Sequence, residues 1–195
     1  TTAADGLIVA RRNGSEVDPA AAYNYWLGVS GGALQARVMW QYAWYDDDQS
    51  QYVYGLSEQT ISTEELINDG AWHHVAFVRR VLDLGAVERG AFNLFIDGRL
   101  HSTGGFVADS WDDEWVITDL SLYTLEGPVV VGEALVGDID EVRIWRRALD
   151  ETDLVAGMYR NLGGDENGLV SYHNFDFQIE EDASFERSAL RDSNS

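Results

Sequence analysis

The chain contains no cysteine, so disulfides, cysteine zinc sites and thiol catalysis are excluded, and nothing follows about the redox compartment. It also contains no lysine. All 13 basic residues are arginine, which rules out a lysine–asparagine isopeptide cross-link. Proline occurs twice. No apolar run reaches the eighteen or so residues of a membrane-spanning helix, so no membrane insertion is expected. Thr1 is not followed by a basic and then an apolar stretch, so any secretion leader is expected to have been removed or never to have existed. Positive charge is scarce: 34 acids against 13 arginines leave a net charge of −21. Phosphate backbones and anionic membranes need a basic patch, so nucleic acid is excluded as a partner. Cations are permitted, and so are salty surroundings. Phosphate-loop and dinucleotide glycine patterns are absent, as is a nucleophile elbow.

What is present is a core-forming chain. Hydrophobic residues make up 45% of 195 positions, enough for one domain. "GLIVARR" is a short apolar run before a turn signal. Tyr23–Val29 and Ala33–Tyr45 read as hairpin arms, with Gly31 and Gly32 supplying positive φ. "DDDQSQ" breaks the pattern, "YVYGLSE" is another short strand, and "STEELINDG" reads as a loop with a helical turn. "AWHHVAFVRR" alternates with apolar residues on both faces, which predicts a central strand. Phe92, Leu94 and Ile96 alternate before the two-residue turn Asp97-Gly98. Pro128 opens a strand at an allowed edge position. A strand over Gly137–Trp145 leads into a short helix. Asp150 is its N-cap, Asp153 lies in its first turn, Leu154, Met158 and Leu162 form its apolar stripe, and Gly163-Gly164 stops it. "GLVSYHNFDF" is a last strand, and the acidic residues 178–195 form a tail, poorly ordered unless docked. Strands at about ten-residue spacing with one late helix predict an all-β antiparallel sandwich over residues 1–177.

Two stretches join acids to aromatics. Trp44, Asp46 and Asp47 sit in or beside "YDDDQSQ", and Trp111 and Asp112 sit in "DSWDDEW". Aromatic faces stack on sugar C–H groups and carboxylates accept from hydroxyls, so these residues are candidates for a glycan-binding rim. They could equally hold a second cation, or be solvated loops with one tucked aromatic. His73 and His74 are adjacent on a strand and point to opposite faces, so they cannot grip one ion together.

"DGAWHHVAFVRR", "FNLFIDGRLHSTG", "VVVGEALVGDIDEVRIWRRALDETDL" and "GLVSYHNFD" resemble, in order and spacing, the laminin-G-like jelly rolls of the concanavalin A-like lectin and glucanase fold. The clear match runs from Ala71 to Asp176. The resemblance implies a two-sheet jelly roll. It also implies a structural calcium beside Asp140, with the other oxygens coming from backbone carbonyls; Asp138, one step further out, is either a second ligand or a solvated turn residue, and Asp176 is a further candidate not set by the resemblance. The alternative is that Asp140 accepts a backbone N–H at a bulge. The double calcium site of pentraxins is not expected, because too few residues join the two strands that flank it. Glucanases of this fold carry Glu-x-Asp-x-x-Glu on one strand; the nearest strings here, "DDEW" and "EEDASFE", lack that setting, so no enzyme is expected. Family members carry further strands before the segment matching "GLIVARR". Their lack implies either a fragment of a longer protein or a neighbouring chain that supplies the missing edge; an open apolar edge calls for cover, which makes strand donation between copies of the chain a hypothesis. The expected function is a non-catalytic extracellular or cell-surface module that binds a glycan or protein ligand. The alternative is a structural subunit of a surface filament or sheath.

Overall fold

The computed structural model describes residues 6–12, 23–83, 88–107, 116–117 and 127–176. Eleven strands and one helix follow in chain order: β1 Gly6–Arg12, β2 Tyr23–Ser30, β3 Ala33–Asp46, β4 Gln51–Leu66, β5 Val75–Asp83, β6 Glu88–Ile96, β7 Arg99–Val107, β8 Val116–Ile117, β9 Val129–Val131, β10 Val142–Trp145, α1 Glu151–Gly157 and β11 Leu169–His173. The first sheet runs β4-β3-β2-β1-β9, with β8 on β3; the second runs β5-β6-β7; β10 and β11 form a separate ladder. Every pairing is antiparallel. This is the predicted sandwich. Its main core packs Leu27, Leu34, Ala36, Val38 and Ile61 of the first sheet against Phe92, Leu94 and Ile96 of β6.

Local chemistry sets the turns. Gly31 and Gly32 take φ of 58° and 87° between β2 and β3. Asp97 and Gly98 take 50° and 77°, the paired positive φ of the tight hairpin turn. Gly98 is also a close approach: a Cβ there would lie 2.5 Å from Val155 Cγ2 of α1.

Five expectations need correction. "STEELINDG" begins as strand, since β4 runs on to Leu66. Thr63 is buried, and its hydroxyl oxygen accepts from the Leu34 N–H at 3.1 Å, so the ladder outweighs the helical preference of Glu64 and Glu65. The strand predicted from Trp72 starts only at Val75, and among the described residues it pairs with β6 alone, at an edge. Its two apolar faces have another origin. Val75 and Phe77 face the main core, whereas Ala76 and Val78 join Phe95 and Leu154 of α1 in a second one. β10 covers only Val142–Trp145, because Glu141 at φ 55° breaks the extended run. The helix stops at Gly157, so Leu162 is not on it, although Asp150 caps it as predicted, accepting from the Asp153 N–H at 2.8 Å. Last, the edge expected beside β1 is closed by β9, with Val9, Ala10 and Arg11 opposite Val131, Val130 and Val129. The turn after β9 reinforces this. Glu133 bonds Arg12, accepts from Tyr23 Oη at 3.1 Å, and receives the Leu7 N–H on its carbonyl at 2.8 Å. The tail from Gln178 lies outside the described residues.

Candidate functional site

β2 leaves β3 at the pair Tyr25–Val38, but β3 and β4 stay paired to Asp46–Gln51. The ribbon therefore continues for about 26 Å past its neighbour, at ~3.3 Å per residue. On the side of β3 that β2 vacates, β8 joins, with Val116 opposite Trp44 and Ile117 opposite Ala43. Trp115 is the residue before β8. The β3–β8 ladder thus sets Val116, which follows "DSWDDEW" in the sequence, on the ribbon that carries "YDDDQSQ", while residues 109–115 lie outside the described residues.

The backbone of Trp44 lies in this ladder, and its side chain lies outside the described residues, as do Trp111 and Asp112 altogether. Asp46 is half-buried. Its carboxylate accepts the Gln49 N–H at 3.0 Å and Gln49 Nε2 at 2.7 Å, so it closes the turn. Asp47 is exposed at the tip. Tyr52 and Tyr54, 46% and 64% exposed, stand two apart on β4 and so share a face. Their two-residue spacing in "YVYG" is the sequence signal for this shared face, and it lies outside the acid-rich run.

The predicted calcium residues lie elsewhere. Asp138 and Asp140 are both exposed on the loop before β10, and Asp140 Oδ1 accepts the Glu141 N–H at 2.8 Å. Calcium takes roughly six to eight oxygens. Among the described residues no three His, Asp or Glu side chains gather to hold an ion. Two loop carboxylates, one already bonded to backbone, do not by themselves fit calcium. Asp176, exposed beyond β11, bonds Asn174 Nδ2 at 3.2 Å.

His73 has a structural task. Its Nδ1 lies 3.0 Å from Asp97 Oδ2 and its Nε2 lies 3.1 Å from Asp69 Oδ1, so it ties the loop before β5 to the β6–β7 turn. The Asp97 bond, more than that to Asp69, raises the imidazole above its usual range. Burial alone would raise Asp97, but bonds from His73 and from the His74 N–H outweigh it and hold the carboxyl low. Asp69 is lowered chiefly by the Ala71 N–H. A raised histidine stabilises the fold below its unfolded value, about pH 6.5, and loses that contribution as pH climbs through the folded one. Lowered carboxylates act oppositely: their contribution is present above about pH 4 and lost on acidification. The melting-temperature gap between wild type and His73→Gln should therefore be widest near pH 5 and narrow above pH 8. A gap that does not vary with pH would remove the bridge. His74 differs: burial lowers it, with the Arg143 charge adding to the effect.

No curated protein and no solved structure matches the chain. A laminin-G family model does, over residues 1–155. By that match the chain belongs to the concanavalin A-like lectin/glucanases superfamily.

Proposed function

We propose that the domain is a non-catalytic recognition module that works outside the cell or on its surface and binds a glycan at the rim where β8 joins the β3–β4 ribbon. One observation supports this reading: Val116, the residue that follows "DSWDDEW" in the sequence, pairs with Trp44 on the ribbon whose tip carries "YDDDQSQ". The exposed Tyr52 and Tyr54, with Asp47 at the tip, add stacking faces and an acceptor for hydroxyls. Superfamily membership supports carbohydrate as the ligand class. The strings "DDEW" and "EEDASFE", nearest to a glucanase carboxylate pattern, lie outside the described residues. The alternative, a structural subunit assembled by strand donation, has less support, because β9 pairs with the flank of β1 that faces away from β2.

A glycan array probed with the purified chain should give a defined set of hits. Trp44→Ala should weaken them about tenfold, equivalent to ~1.4 kcal/mol, the size of one aromatic stacking contact. An array without hits, or hits that neither Trp44→Ala nor Tyr54→Ala changes, would overturn the rim as a glycan site.

A further inference from the structure

A second concavity lies away from the rim. The ladders place Val38, Tyr25, Arg11 and Val129 in one row across β3, β2, β1 and β9. Residues paired across strands share a face, and Val38 is 1% exposed in the main core, so Arg11 projects into the sandwich. Opposite stand Ile144 of β10, Val170, Ser171 and His173 of β11, and Phe175 just beyond it. Between the two walls is a cleft of about 380 Å³, within the range of small-molecule sites.

Its charge is inverted relative to the chain. The lining has a guanidinium, an imidazole, a phenol and a hydroxyl, and no Asp or Glu among the described residues, in a protein of 34 acids. Arg11 Nε is enclosed and has no hydrogen-bond partner among the described residues. A buried donor without an acceptor is costly, and such groups in folded proteins call for an explanation. Beside it, burial raises the Tyr25 phenol, against the pull of the Arg11 charge. Ser171 Oγ lies 2.9 Å from His173 Nε2, and the Phe175 ring stacks on the imidazole at 6.0 Å.

We propose that this cleft binds a carboxylate-bearing sugar, a hexuronic acid unit, with the carboxylate on the Arg11 guanidinium. The planar fork matches a carboxylate in two parallel hydrogen bonds. Phosphate would bring up to two negative charges to one arginine in a chain of net −21. Tyr25, Ser171 and His173 suit ring hydroxyls, and Phe175, Val129 and Val131 suit C–H faces. The choice of a sugar rests on the glycan-binding reading above; the choice of a carboxylate rests on Arg11 alone.

The test is calorimetric titration of the full chain with glucuronate, glucose, benzoate and inorganic phosphate. Glucuronate should bind at least tenfold more tightly than glucose and more tightly than benzoate or phosphate. Arg11→Gln should weaken it tenfold or more. If circular dichroism shows Arg11→Gln unfolded, Ser171→Ala at the cleft wall takes its place and should weaken glucuronate about threefold. Equal affinity for glucose, preference for benzoate or phosphate, or glucuronate binding unchanged in the folded variant would overturn the proposal. Failure of the rim reading shows separately, as array hits that respond to neither Trp44→Ala nor Tyr54→Ala.

Discussion

Phe92→Ala should lower the unfolding free energy by about 4 kcal/mol, the largest effect expected of any single substitution considered. Phe92 is 1% exposed and sits among Leu94, Ile96 and the inward residues of β2, β3 and β4. Its ring lies 6.2 Å from that of Phe77, tilted at 36°. Removing a buried phenyl group loses its transfer free energy and leaves a void, and the total depends on how far the walls can close. Here they can close little, because β6 is bonded to β5 on one side and β7 on the other, and the first sheet is held in its own ladder. Urea unfolding measures this as a lower midpoint at unchanged slope. A loss below about 1 kcal/mol would mean that Phe92 does not sit between the two sheets.

Arg143→Ala should destabilise the fold by about 3 kcal/mol, mostly through what the arginine leaves behind. The side chain is 11% exposed. Nη1 donates to the Gly157 carbonyl at 2.7 Å; Nη2 donates to the Arg160 carbonyl at 2.6 Å and to Glu141 Oε2 at 2.5 Å. The guanidinium also lies over the Tyr172 ring at 5.6 Å, and Tyr172 Oη donates to the same Glu141 carboxylate at 2.9 Å. One side chain thereby joins β10, β11, the C-terminal end of α1 and the chain after it. Without it the Arg160 carbonyl loses its donor, the Gly157 carbonyl keeps only the Arg160 N–H at 3.1 Å, and a partly buried carboxylate loses its counter-charge. Arg143→Lys should recover less than half of the loss, since an ammonium on a flexible stem lacks the fork that meets these three acceptors. Arg147 provides the contrast. Its ion pair with Asp153 has side chains 44% and 41% exposed, and pairs so solvated contribute about 1 kcal/mol or less. If Arg143→Ala lowered stability no more than a solvated pair does, the proposed link between helix and strands would fall.

Much of the architecture was legible because it depends on short-range periodicity. Phe92, Leu94 and Ile96 alternate into the core, Asp97-Gly98 turns where its dipeptide says, and Asp150 caps the helix it precedes. Features set by remote contacts were not legible. Apolar residues on both faces of β5 do suggest a central strand, yet α1 covers one face, and only the packed helix reveals that. The helix itself stops early, and Arg143 draws on the Gly157 and Arg160 carbonyls at its end; nothing in "VAGMYRNLGG" announces this. The two acid-and-aromatic stretches could be read separately as rim candidates. The pairing that sets Val116 beside Trp44 depends on a two-residue strand with no periodicity to detect. Arg11 reads as the polar end of an apolar run, and only the register of three strands turns it inward.

The closure of β1 by β9 also orders events in time. Val9 and Val131 are about 120 residues apart along the chain. β1 can zip to β2 early as a nearby hairpin, but its other flank must stay bare until the ribosome has delivered Pro128 and the valines after it. Loop-closure entropy makes so distant a pairing slow, and a bare flank is where nascent chains cross-associate. Completion of the first sheet is thus a late step of folding.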